Sequence, residues 1–541
     1  MKTIRKLFQR YKNNFRTRTL LFFSTILILF IQGIILTNNI EDWLDIRLWD
    51  ETLYLGNGIY FFKQKIMSDW GPVYSLWYFI LNLFTNDPIN LYYLNYRLMI
   101  VLLPVIMSVF IYRLTNNVII SFFYSYLLLI SMMNLFAWPR ISHFLLIVIL
   151  ITFIAVTFIK SKEKKLVVAG LTTLIILYIR PEYVIAFFVF LFIIGFLAIK
   201  KKIKINNLFI VTAGTTLLII ILGVPFSSSR SLTAFGQGYE KYIPQNERLD
   251  ESGKVKEWTE ILYDDFGDPG SIFEAMKNNP GEFFFLLWQN IKSLPGLPSI
   301  YKEFIFPSQF IHISGPLISR ILVSLIALIP LLIIFLNKND NKNYNQSLSN
   351  IKFIIGLSFI LCIPPLSGII LFFPRLHYLI LLLPLFYSLL VIIFIPFTIK
   401  NYATEVSALI LVLILSFIFL PDFSSWFGKQ DAQNRNTIIS LRNLNSDVKI
   451  NILENNGGFA YYLGENYTWI KIHSKEEPFG EFLINQKINL IVDTETLSQS
   501  SQLKNDSTWY KFLTDPRSFG FKENVLSSGV NIFLKENGDL D

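Results

Sequence analysis

The sequence predicts a polytopic α-helical membrane protein that carries a small soluble α/β domain at its C-terminal end. Three observations support this. Of 541 residues, 53% are hydrophobic and only 16% are charged, against about a quarter charged in an ordinary soluble domain. Apolar runs of roughly 18 residues recur, each long enough to cross about 30 Å of hydrocarbon. Past Pro421 the hydrophobicity drops and short strand-like runs replace the long ones. The expected division is therefore a membrane part over 1–420 and a soluble part over 421–541.

The net charge of +9 is unevenly spread. Lys2, Arg5, Lys6, Arg10, Lys12, Arg16 and Arg18 open the chain with no acid among them, and 160–165 and 200–204 are basic runs. Such segments collect on the cytoplasmic side of a membrane. Because these charges sit beside apolar spans rather than on one soluble face, a nucleic-acid partner is excluded. The single cysteine, Cys362, lies in an apolar run. It rules out an intrachain disulfide and reads as a small buried apolar residue.

The first span covers 20–36 and reads as uncleaved, since no small-residue cleavage site follows it. An outer loop then covers 37–90. Its apolar run 73–84 is too short to cross and reads as an interfacial helix. Further spans are expected at 91–112, 118–136, 143–159, 166–179, 183–198, 208–226, 316–336, 351–372, 378–397 and 406–420. About eleven crossings place the N-terminus inside and the C-terminal domain outside. The basic runs 160–165 and 200–204 then fall inside, where such runs collect. A second long outer loop covers 227–315, and a loop of that length is usually functional. In the soluble part, 448–453, 488–492 and 530–534 read as strands and 507–513 as a helix.

Apart from the cytoplasmic runs, the charges near the spans gather at one surface. Asp42, Asp45, Arg47, Asp50 and Glu51 lie in the first outer loop, and Arg140, Arg180, Glu182, Arg230 and Arg375 come from other outer loops. Arginine suits bidentate phosphate binding at a partly desolvated site, and a carboxylate suits proton removal from a hydroxyl. A polyprenyl-phosphate sugar, attacked by an acceptor hydroxyl, needs both. Asp50 and Glu51 are the preferred acids because Trp49 and Tyr54 flank them, where desolvation would tune a carboxylate. The plainer reading is a pair of acids at a helix N-terminus complementing its dipole. Arg180 and Arg375 read equally as phosphate ligands or as snorkelling headgroup anchors. Arg140 and Arg230 lean structural, and His143 and His377 read as interfacial hydrogen-bonders. No spacing suits a zinc site and no Gly-rich phosphate loop is present, so neither a metal nor a cofactor is expected.

The stretches Asp50-Glu51-Thr52-Leu53-Tyr54, Ser68-Asp69-Trp70-Gly71-Pro72-Val73-Tyr74, Arg180-Pro181-Glu182 and Arg375-Leu376-His377-Tyr378, followed by Pro384, resemble the GT-C glycosyltransferase superfamily. The branch resembled holds the protein O-mannosyltransferases and the bacterial transferases that add aminoarabinose or other sugars to lipid A. The resemblance implies a GT-C-like membrane domain in which Asp50, of the first-loop Asp50-Glu51 pair, is catalytic. It also implies that Arg180 and Arg375 bind the lipid phosphate, with Tyr54, Arg140, Glu182 and His377 as further substrate contacts. Two departures bear on the acceptor. Gly71 stands where the lipid A transferases tend to carry a charge, and Trp138-Pro139-Arg140 lacks an acid found there in some relatives, which argues against a required metal. The implied activity moves a sugar from a polyprenyl-phosphate donor to a glycolipid, glycan or protein acceptor on the outer face of a bacterial inner membrane. The alternative class is a transporter or flippase of a lipid-linked glycan, which would place ionisable residues near the bilayer midplane and show repeated halves.

Overall fold

The computed structural model describes residues 2–63, 65–201, 204, 206–225, 228–244, 248–249, 256–293, 344–394, 402–422, 432–444 and 449–536. Helices dominate, and a five-stranded sheet closes the C-terminal end. Among the described residues five helical segments are long and apolar enough to cross a membrane: Arg18–Leu36, Pro88–Thr115, Ile141–Phe158, Pro181–Ile199 and Asn350–Leu371. They coincide with the spans expected at 20–36, 91–112, 143–159, 183–198 and 351–372. Shorter apolar helices, Phe209–Leu222, Leu376–Leu390 and Glu405–Ile418, stand where 208–226, 378–397 and 406–420 were expected. The run 166–179 falls largely in helix Lys162–Leu177. The span expected at 316–336 lies outside the described residues.

Local hydrogen bonding sets the helix ends. Helix α1 covers Lys2–Leu36, and a short turn, α2, covers Ile40–Trp43. Helix α3 (Asp50–Ile59) leads to α4 (Pro72–Asn82), so the run expected to be an interfacial helix is helical. Asp87 then caps α5 (Pro88–Thr115) by accepting from the Ile89 N–H, with Pro88 at the first helical position where its missing N–H costs nothing. Asn116, in the left-handed region, ends α5, and Asn117 caps α6 (Val118–Leu129). The single span expected over 118–136 is in fact two pieces. The Ser131 hydroxyl accepts from Asn134 N–H and starts α7 (Met132–Phe136) instead of letting α6 continue, the competition that a short polar side chain offers an apolar helix. Helix α8 covers Ile141–Phe158, α9 Lys162–Leu177, α10 Val184–Ile199 and α11 Asn206–Leu222.

The second long loop is helical over its described part: α12 (Ser228–Tyr239), α13 (Trp258–Phe266), α14 (Ile272–Asn278) and α15 (Pro280–Ser293). Phe235, Tyr239, Phe266 and Phe283 pack together as its small core.

The sheet runs in the order β2-β1-β3-β5-β4, with β1 Ile450–Glu454, β2 Tyr467–Lys471, β3 Leu490–Asp493, β4 Phe521–Val525 and β5 Asn531–Lys535. Strand β1 pairs in parallel with both β2 and β3, and β5 pairs antiparallel with β3 and β4. Its two faces bury different things. Leu453, Ile491 and Phe533 face the domain's own helices, around Trp509 and Phe512. Ile450, Ile452, Leu490, Val492 and Ile532 join the same apolar core as the long helices. Burying such a set removes apolar surface from water at about 25 cal/mol per Å², so the soluble domain is packed onto the membrane part by one face of its sheet. Two polar contacts add to this. Glu257, which caps α13, accepts from the Ser501 N–H at 2.9 Å and its hydroxyl at 3.0 Å, and Lys504 donates to Glu260 at 2.8 Å.

Candidate active site

Helix α3 begins under strain. Trp49, its N-cap, has φ 64° and ψ −125° and offers no side-chain cap. A non-glycine residue held at positive φ costs on the order of 1–3 kcal/mol, which the surroundings must supply. They come from the soluble domain: Trp49 N–H donates to the Gly457 carbonyl at 3.0 Å. Gly457 itself has φ +92°, and a Cβ there would lie 2.5 Å from Trp49 N and 2.6 Å from the indole ring. Glu454, fully buried at the end of β1, fixes the loop by accepting from the backbone N–H groups of Asn456 at 2.5 Å, Gly458 at 2.7 Å and Phe459 at 3.1 Å. Burial pushes its carboxyl up to about 7, against the pull of those donors. Further along α3, Thr52 and Tyr462 share a hydrogen bond at 3.2 Å.

The adjacent acids have opposite surroundings. Glu51 is fully buried. One oxygen accepts from the hydroxyls of Tyr74 and Tyr78, both at 2.6 Å, and from Asn95 Nδ2 at 3.2 Å, and the other accepts from Arg140 N–H at 2.7 Å. Burial raises its carboxyl above the ordinary range, while the tyrosine hydroxyls, the Arg140 N–H and the Arg140 charge pull it back down. This network ties α3 to α4, α5 and the start of α8. Asp50 is half-buried, and its carboxylate makes no hydrogen bond to another described residue.

Arg140, expected as a substrate contact, points into that interior with no exposed surface. Its guanidinium lies 3.6 Å from the Tyr96 ring centroid. It donates to the carbonyls of Asn134 and Leu135 and to Nε2 of His143, the last at 2.8 Å. His143 is thus buried as part of the same cluster.

Tyr54 lies one helical turn after Asp50 and is fully buried, its ring 6.0 Å from Trp70 and 5.3 Å from Tyr74. Arg230 reaches it from α12. Nη2 donates to the Tyr54 hydroxyl at 3.0 Å, Nη1 donates to the Asp69 carbonyl at 3.0 Å, and the guanidinium sits 4.3 Å over Trp70. Burial raises the Tyr54 phenol, opposed first by the Arg230 charge and then by that of Arg180, while Asp50 adds to the rise. Arg230 in turn lies within the fields of Asp50 and Glu182.

Arg180 follows α9 and is buried. Its Nε pairs with Glu182 at 3.3 Å, and its guanidinium is 5.1 Å from the Tyr378 ring. Its Nη1 has no hydrogen-bond partner among the described residues. Arg375 is half-buried and donates to Gln237 at 3.2 Å. His377 is buried and donates from Nδ1 to the Trp138 carbonyl at 2.9 Å. The charges of Arg180, Arg230 and Arg375 all act on Tyr378 and on His377.

The charges of Asp50, Arg180 and Arg230 thus act together on Tyr54, those of Asp50 and Glu182 on Arg230, and those of Arg180, Arg230 and Arg375 on His377, while Glu51 and Arg140 sit together in the interior. The residue that sequence reasoning underweighted is Arg230. A lone arginine after a serine run gave no pattern, because its partners, the Asp69 carbonyl and the Tyr54 hydroxyl, are set by the fold alone. Chemically this set offers three guanidinium groups against two carboxylates, one of which, Asp50, makes no hydrogen bond to another described residue. Guanidinium groups suit an anion, and an ionised carboxylate suits proton removal. No protein-family model matches the sequence, and a search of characterised proteins gave no match.

Proposed function

We propose that the protein is an integral membrane glycosyltransferase of GT-C-like architecture, moving a sugar from a polyprenyl-phosphate donor to an acceptor hydroxyl on the extracytoplasmic face. The observation that carries this reading is the buried Arg180 guanidinium, whose Nη1 has no hydrogen-bond partner among the described residues and whose charge acts on Tyr54 together with that of the half-buried Asp50. A buried cationic donor without a partner is costly unless an anion meets it, and a phosphate accepts two parallel N–H bonds from one arginine.

In this mechanism Asp50 takes the proton from the acceptor hydroxyl as its oxygen attacks the anomeric carbon. The bond from that carbon to the phosphate oxygen breaks on the opposite face, and the phosphate departs with the electron pair, inverting the centre. Arg180, Arg375 and Arg230 hold the charge that develops there. Glu182 orients Arg180, and Tyr54 and His377 line the site. Glu51 and Arg140 are positioning residues: they hold the start of α3 against α4, α5 and α8. On this reading about eleven crossings put the N-terminus in the cytoplasm of a bacterial cell and the soluble domain outside its inner membrane, with no metal required.

The test is comparative mass spectrometry of envelope glycolipids and glycoproteins from cells expressing the wild-type chain or Asp50→Asn, with membrane insertion checked. The expected result is a sugar modification present with the wild type and lost in the variant. A normally inserted Asp50→Asn that retains full modification would refute the mechanism.

A further inference from the structure

At the far end of α3 lies a second feature. A groove of about 400 Å³ opens between the end of that helix and the soluble domain, walled by Tyr60, Lys63, Tyr461, Tyr467, Trp469 and Lys471. Its volume is within the usual range for small-molecule sites, about 300–1,000 Å³. Helix α3 has ten residues, so the groove begins about 15 Å along the helix from Asp50.

The sheet explains why these side chains meet there. Tyr467, Trp469 and Lys471 register with Ile450, Ile452 and Glu454 of β1, so they share a face. Apart from Glu454, that face on β1, β3 and β5 presents Ile450, Ile452, Leu490, Val492 and Ile532, which pack on the membrane part. At β2, the edge strand, the face runs past α3 and its chemistry changes to tyrosine, tryptophan and lysine. Among the described residues, Ala460 is the only aliphatic side chain in the groove. An overhang that needed only solubility would carry charges, and one that sat in lipid would carry leucine and isoleucine. Aromatic faces interleaved with cations are neither.

The rings are also held in place. Trp469 Nε1 donates to the Glu454 carbonyl at 3.1 Å, fixing the indole plane, and Tyr461 stands against it at 6.2 Å and 76°. The Lys471 ammonium lies 5.0 Å from the Trp469 ring, and the Lys63 ammonium is bonded to Glu465 across the groove. A pyranose ring presents a face of C–H groups with slight positive charge, which suits the negative face of an aromatic ring. Its hydroxyls need donors and acceptors at the rim, which Thr468, Glu465 and the lysines provide. Lys471 has no carboxylate paired with it among the described residues, which favours a saccharide with a negative charge.

We infer that this groove binds an anionic saccharide and holds the glycan portion of the acceptor one helix length from Asp50. The binding claim stands by itself; the acceptor role rests on the transferase reading above.

The experiment is direct binding by the full chain in lipid nanodiscs, by titration calorimetry. The probes are tetragalacturonate and the neutral maltotetraose. The expected result is that wild type binds the acidic probe more tightly than the neutral one, and that salt at about 0.5 M narrows the difference. Trp469→Ala weakens binding about tenfold. Lys471→Glu, an exposed change that leaves the fold alone, removes the preference for the acidic probe. Asp50→Asn binds as wild type does. No binding of either probe by wild type, equal binding of the two, or wild-type affinity in both groove variants overturns the proposal. Should Asp50→Asn keep full transfer while the groove variants lose binding, the transferase mechanism fails and the saccharide site stands.

Discussion

Asp50 and Glu51 are neighbours of the same chemical type, and the structure predicts opposite results when each loses its charge. In Glu51→Gln the amide can return only one of two acceptor oxygens. If its oxygen serves Tyr74, Tyr78 and Asn95, its NH₂ faces the Arg140 N–H, which has no other way to turn. A buried donor left unsatisfied costs about 1–3 kcal/mol. Glu51→Ala removes both oxygens and leaves a cavity among four donors, for about 3–5 kcal/mol. Asp50→Asn breaks no hydrogen bond within the described structure, so its effect on stability stays within about 0.5 kcal/mol. On the proposed mechanism it costs at least about 100-fold in transfer, the range for loss of a general base. The assay pairs thermal unfolding of the purified chain in nanodiscs with product quantified by mass spectrometry. The expected pattern is Glu51→Gln melting several degrees lower with transfer retained below its melting point, and Asp50→Asn melting normally but inactive. Equal loss of stability in the two variants, or loss of transfer in Glu51→Gln with no loss of stability, would refute the division of roles.

Other predictions follow from the same contacts. Arg180→Lys keeps a charge but gives up the planar fork, and should raise the KM for the lipid-linked donor about tenfold with little change in folding; donor titrations check it. Gly457→Ala puts a methyl group against Trp49 at φ +92°. The combined strain and overpacking of about 2–5 kcal/mol should release the loop and speed hydrogen exchange over 49–56. Glu454 has an ordinary value of 4.5 and a folded value raised to about 7. Its stabilising contribution is therefore full below pH 4.5 and lost as pH rises to about 7, a fall of about 3 kcal/mol. Melting at pH 5 and pH 8 should show that fall, and Glu454→Gln should flatten it.

What the sequence disclosed, it disclosed through hydrophobic pattern. The long helices around 20–36, 91–112 and 143–159 stand out because hydropathy alone determines them. The expected span 118–136 misled because Ser131, one hydroxyl in an apolar run, ends one helix and starts the next. In the sheet, β1, β3 and β5 were visible as aliphatic runs at its centre. The edge strands were not, since β4 reads Phe-Lys-Glu-Asn-Val and β2 carries aromatic and charged residues. Arg180 and Glu182, which pair in the fold, could be grouped by charge. The interior place of Glu51 could not, because a carboxylate beside another carboxylate looks solvated. The available clue lay elsewhere in the chain: Tyr74 and Tyr78 share one face of α4, and Asn95 interrupts an apolar helix.

The hydrogen bond from Trp49 to Gly457 makes two distant parts of the chain a single heritable unit. A chimera that imports a foreign C-terminal domain without the matching 49–56 segment would leave the first turn of α3 unsupported, however well the graft folds. Activity lost on truncating or exchanging 421–541 would therefore report a misplaced carboxylate as readily as a missing ligand site. Only exchanges that carry both partners can separate the two.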